Sequence, residues 1–63
     1  MVIVNMPDGK VKECKRRVVK DILKELHLNE NEVLVAKGEE LLTPDIVLRH
    51  GEEIRIITVV SGG

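Results

Sequence analysis

The 63-residue chain contains no Phe, Tyr or Trp, a single cysteine and two prolines. Its longest apolar runs fall far short of the roughly 18 residues that cross a bilayer. Each absence excludes something. Without aromatic rings there is no stacking platform for single-stranded nucleic acid. With Cys14 alone no internal disulfide forms, and no Cys/His set has metal-ligand spacing, so a body this small holds by packing alone. The unpaired thiol fits a reducing compartment. The first residues lack the charged-then-apolar layout of a secretory signal. The expectation is a cytoplasmic protein, monomeric when free, with no membrane or nucleic-acid partner and no bound metal or cofactor. A domain of this length buries only about 60% of its unfolded surface and cannot also enclose a large catalytic cleft, so an enzyme is not expected.

Charge is plentiful and unevenly distributed. Residues 1–28 carry seven Lys/Arg against four Asp/Glu, net +3, whereas residues 29–63 carry three against seven, net −4. Such asymmetry can steer a partner, although in a compact domain the two halves interleave. The only basic cluster, Lys15-Arg16-Arg17 with Lys20, is too narrow for a nucleic-acid module and reads as a solvated helix start.

Residues 1–6 are mostly apolar and β-branched, a strand pattern, and Pro7-Asp8-Gly9 supplies turn chemistry. Residues 11–14 should return antiparallel, with a bulge or an early end near Cys14 because Val11 and Glu13 share a face. Val18, Ile22 and Leu26, flanked by Val19 and Leu23, form one apolar helical stripe with Lys20, Asp21, Lys24 and Glu25 outside it. The helix should close near Leu28-Asn29, Asn being tolerant of the left-handed conformation. Its start has no side-chain oxygen to cap it and must fray or borrow a distant partner. A short buried strand at 33–36, a turn at Lys37-Gly38-Glu39, a brief strand at Leu41-Leu42 and a break at Thr43-Pro44-Asp45 follow. Ile46, Val47 and Leu48 lead to a turn at His50-Gly51, and residues 54–60 make the longest β-type run.

One helix with one apolar stripe buries it against one sheet face. The predicted fold is α+β: a mixed four- or five-stranded sheet packed on a single helix, the β-grasp arrangement, with the first and last strands adjacent at the centre. Residues 1–60 form this domain and residues 61–63 a flexible tail. In the last strand Ile54, Ile56, Thr58 and Val60 share one face, and Arg55, Ile57 and Val59 share the other. One set faces the helix. The other is either core or an apolar docking surface beside the tail, formed by Ile57, Val59 and Val60.

The tail reads Ser61-Gly62-Gly63. A terminal carboxylate, with a pKa around 3.5, is ionised at neutral pH and is a poor electrophile. Adenylation by a partner enzyme supplies a leaving group, after which a sulfur or amine nucleophile can take the acyl group. Two glycines leave the carbonyl uncrowded and let the tail enter a narrow channel, at an ordering cost of about 1–2 kcal/mol each. The pair also reads as a plain frayed chain end. As an activated terminus, Gly63 would be the attachment residue and Gly62 and Ser61 the tail that activation needs.

Lys37-Gly38-Glu39, Thr43-Pro44-Asp45, Leu48, His50-Gly51-Glu52, Ile54-Arg55-Ile56-Ile57 and Val59-Val60-Ser61-Gly62-Gly63 together resemble the ThiS/MoaD sulfur-carrier family, as does Val19-Lys20-Asp21-Ile22-Leu23. The resemblance covers nearly the whole chain, with the Gly pair as its one sharp motif. It implies a non-catalytic carrier. An E1-like enzyme uses ATP to adenylate Gly63, and a cysteine desulfurase or rhodanese-type donor provides sulfur for a thiocarboxylate. A sulfur-accepting synthase then takes the sulfur for thiamine thiazole, molybdopterin or tRNA thiolation. The same family pattern covers ubiquitin-like modifiers joined through Gly63 to lysines of target proteins. The chain departs from the pattern at His50, where Asp is usual, in lacking a Thr at the helix start, and in having no aromatic residue.

The other reactive side chains have plainer readings. Cys14 is a small buried residue at a strand end rather than an activated thiol. His27 and His50 are surface residues at element ends. Glu39-Glu40 and Glu52-Glu53 are solubilising charges in turns.

Overall fold

The computed structural model describes residues 1–59. Alternation sets the first hairpin. Val2 and Val4 are fully buried while Ile3 and Asn5 are half-buried, in a strand over Val2–Asn5 (β1). It turns at Gly9, whose φ of 90° suits a residue without Cβ, and returns antiparallel as Val11–Cys14 (β2). The register runs regularly from Val2 opposite Cys14 to Asn5 opposite Val11. The alternative of a bulge is not realised. β2 is an edge strand, so Val11 and Glu13 share the outer face in solvent, and the strand ends at Cys14.

The helix (α1) spans Val19–Glu25 and buries Val19, Ile22 and Leu23. Val18 stands at its N-cap without a side-chain bond. The borrowed partner expected there exists: Val19 N–H donates to the Ile46 carbonyl and Lys20 N–H to that of Pro44, both at 3.0 Å. A bridge from Val18 to Val47 fixes the two segments together. The helix closes earlier than predicted. The left-handed residue is His27, at φ 59°, not Asn29. Leu28 N–H reaches back to the Leu23 carbonyl at 2.8 Å and His27 N–H to that of Lys24 at 3.1 Å, the paired bonds of a Schellman closure. Leu23 and Leu28 are thereby brought together, and that apolar pair outweighs the intrinsic preference of Asn.

Three strands complete the sheet: Val33–Lys37 (β3), Glu40–Leu42 (β4) and Glu53–Thr58 (β5). Lys37 belongs to β3, and Glu40 and Glu53 belong to strands rather than to the turns expected for them. Strand order is β2-β1-β5-β3-β4. β1 and β5 lie side by side and parallel, and all other pairings are antiparallel. This five-stranded mixed sheet over one helix is the β-grasp expected. The core joins Val2, Val4, Val33, Val35, Ile54 and Ile56 to the helix stripe and Leu48. Among the described residues no polar side chain is buried.

Candidate functional site

β5 carries the predicted site residues out of the core. Ile54 and Ile56 face α1, at 1% and 2% exposure, so Arg55 and Ile57 must face away. Thr58, predicted on the inner face, is exposed at its margin, where the sheet runs past the helix end. The outer face is not a second core. Ile57 is half-buried and Val59 exposed, and register places Leu34 directly opposite Ile57. In the next row Arg55 stands opposite Ala36, and Ala36 opposite Leu41. Opposed side chains are contact neighbours and diagonal ones lie within reach, so Leu34 and Ile57, with Leu41 diagonal to Leu34, form an apolar strip whose leucines are 44% and 60% exposed. The β1 side of the same face is polar, with Asn5 donating to the Glu53 carboxylate at 2.6 Å.

Val59 N–H donates to the Glu32 carbonyl at 2.9 Å. It holds the end of β5 against the start of β3, beside a shallow depression of about 360 Å3 bordered by His27, Thr58 and Val59. Of the predicted docking residues, Ile57 and Val59 therefore lie together at the edge of the apolar strip. Val60, Ser61, Gly62 and Gly63, with the boundary drawn between domain and tail, lie outside the described residues. Leu34 and Leu41 were missed. Leu34 alternates with the buried Val33 and Val35, which was the available signal.

The remaining candidates are structural. Cys14 is buried, and its Sγ–H donates to Glu25 Oε2 at 2.7 Å. Burial first, and then the Glu25 carboxylate, push the thiol pKa up, opposite to what a nucleophile needs. His27 serves the helix closure, and His50 lies against the Met1 amine. Glu52 is more than a solubilising charge. It takes the Lys37 ammonium at 2.5 Å and the Arg49 N–H at 2.8 Å, and the Lys37 bond first holds its carboxyl below the usual range. Among the described residues no group of three His, Cys, Asp or Glu could hold a metal, and no helix is long and apolar enough to cross a membrane.

Among the described residues, a sheet packed on one helix on one face and carrying an apolar strip on the other defines a β-grasp body. In fold it is similar to a computationally designed protein based on human erythrocytic ubiquitin, solved by NMR in solution. The TM-score is 0.66 at 18% identity, covering 98% of this chain and 94% of that one. Residues 3–63 match the ThiS family. The chain is also 35% identical to the sulfur carrier protein TtuB of Thermus thermophilus, over 98% of its own length and 97% of the relative's. The chain belongs to the ThiS family of sulfur carriers, small ubiquitin-like proteins that are not themselves enzymes.

Proposed function

We propose that the chain carries sulfur on its C-terminal Gly63. An E1-like enzyme joins a Gly63 carboxylate oxygen to the α-phosphorus of ATP, and pyrophosphate leaves. The outer sulfur of a persulfide on a desulfurase or rhodanese-type donor then attacks the acyl carbon and displaces AMP, giving an acyl disulfide between Gly63 and the donor cysteine. A second cysteine thiol of the partner attacks the donor-side sulfur, is oxidised to a disulfide with it, and releases Gly63. A thiocarboxylate results, and an acceptor enzyme takes its sulfur for thiamine thiazole, molybdopterin or tRNA. Ser61 and Gly62 give the tail its reach and narrow section, while Ile57, Val59 and Val60 contribute to the surface on which the activating enzyme docks. The chain itself holds no cofactor; ATP belongs to the partner.

The observation that supports this reading best is the ThiS match extending through Gly63, with β5 delivering Val59 to the rim of an apolar strip. Incubation with the activating enzyme, ATP and a sulfur donor, followed by intact mass measurement, tests it. Exchange of sulfur for oxygen at Gly63 is the expected result. Adducts from Gly63 to lysines of other proteins would instead mark a modifier, and neither species would leave a plain interaction domain. Removing Gly62 and Gly63 should abolish pyrophosphate release yet leave thermal unfolding unchanged, because the whole described core lies before residue 60. A destabilised truncation would contradict that separation.

A further inference from the structure

Arg55 occupies an unusual place on the outer face, on the boundary between its polar and apolar halves. Asn5 is opposite it on β1, Glu53 is two residues before it on β5, and Ala36 is opposite it on β3, next to the Ile57–Leu34 pair. Glu53 is the carboxylate two residues away on the same strand face, where an internal ion pair would be expected. Its oxygen is instead held by Asn5 Nδ2 at 2.6 Å, and Asn5 also donates to the Ile54 carbonyl at 3.2 Å. Lys37, the nearby cation of β3, is paired with Glu52. Among the described residues Arg55 has no carboxylate within ion-pair distance, and its side chain is exposed.

Beside Arg55 is an open depression of about 300 Å3, bordered by Asn5, Glu53, Ile54, Ala36 and Gly38. Gly38, at the turn after β3, has open space around it, whereas Ala36 is only 3% exposed beneath its neighbours and Glu53, on β5 itself, repels negative charge. A planar guanidinium with five donors, free of internal partners and adjoining an apolar strip, matches a carboxylate bidentately. Arg is also enriched at the energetic centres of protein interfaces.

We propose that Arg55 is a specificity-determining residue of the docking face, receiving an Asp or Glu side chain of the activating enzyme that enters past Gly38. The ion pair fixes how the carrier is rotated on its partner, which the apolar strip alone does not, because apolar contact is non-directional. This rests on the carrier reading above and deepens it.

ATP–pyrophosphate exchange, with carrier concentration varied against the E1-like enzyme of the source organism, is the test. Exchange supported by the unaltered carrier establishes activation at Gly63 independently of Arg55, and the intact mass measurement above separates a carrier from a modifier. Arg55→Gln should then raise KM about tenfold and leave the thermal midpoint unchanged, and Arg55→Lys should fall between, retaining charge but losing the fork. Glu53→Gln, which removes the competing negative charge, should lower KM. An Arg55→Gln KM within about twofold of the unaltered carrier overturns the proposal, since a lost interfacial ion pair costs more than that. A raised KM for Glu53→Gln overturns it as well. If the unaltered carrier gives no exchange, the carrier reading itself has failed and the inference falls with it.

Discussion

The two faces of one sheet are built from the same strands and differ in what covers them. On the inner face Val2, Val4, Val35, Ile54 and Ile56 are 3% exposed or less and meet the helix. On the outer face Leu34, Leu41 and Val59 are 44–60% exposed, and nothing in the described chain covers them. Strand alternation separates the two sets residue by residue, so Ile56 and Ile57, chemically identical neighbours, have different surroundings. Apolar content alone therefore says little about stability here. What matters is which side of the pleat a residue occupies.

Breaking the inner face should have the largest effect. Ile56→Ala removes a fully packed side chain and is expected to cost about 2–5 kcal/mol. Domains hold roughly 0.05–0.15 kcal/mol per residue, which puts this one at about 3–9 kcal/mol, so the variant should be marginal at best. Denaturant unfolding checks it. A loss under about 1 kcal/mol would mean that the inner face is not the main support of the fold.

The outer face should respond in the other currency of measurement, binding rather than stability. Val59→Asp and Leu41→Asp are expected to change unfolding free energy by no more than about 0.5 kcal/mol, as exposed substitutions do. Each should raise the carrier KM in ATP–pyrophosphate exchange about tenfold, because a carboxylate set into an apolar contact must shed its water when the partner docks. Unchanged KM for both would make the strip ordinary surface. A KM effect for Val59 but not Leu41 would sharpen the comparison by confining docking to the β5 margin.

The same contrast explains what was legible in the sequence. The inner face writes itself as periodicity: the stripe Val19, Ile22 and Leu23 and the alternation Ile54, Ile56 can each be read within one element. The outer strip depends on register between strands. Ile57 and Val59 were found because they lie on one strand, whereas Leu34 and Leu41 join them only through the pairings of β3 with β5 and β4. Helix ends follow the same division. The carbonyls of Pro44 and Ile46 that satisfy the first amides come from a segment distant in sequence. His27 takes the left-handed position because Leu28 folds back on Leu23, a contact that residue preferences do not reveal. Arg55 was visible as a charge on the face opposite the core. That it lacks an internal partner depends on Asn5 holding Glu53 across the β1–β5 pairing.

The smallest expected effect concerns Cys14, a reactive group placed on the sealed side. Burial and the bond to the Glu25 carboxylate keep its proton on in the folded state above the ordinary value of 9.0, while the Arg16 backbone amide and charge pull weakly the other way. In the unfolded chain the thiol ionises at its ordinary value. Between those two values the unfolded state therefore binds fewer protons, and stability falls as pH rises, by at most about 1.4 kcal/mol per pH unit. Below 9.0 the contribution is fully present and flat with pH. Lysines also titrate in this range, so the informative quantity is the difference between the unaltered protein and Cys14→Ala. That difference should be constant from pH 7 to about 9 and then shrink as the unaltered protein loses stability faster. A difference that stays constant through pH 11 would show that the folded thiol ionises as freely as an unfolded one. The inner face would then be less sealed at its β2 end than at its centre, and the division between a closed face and an open one would not reach the sheet edge.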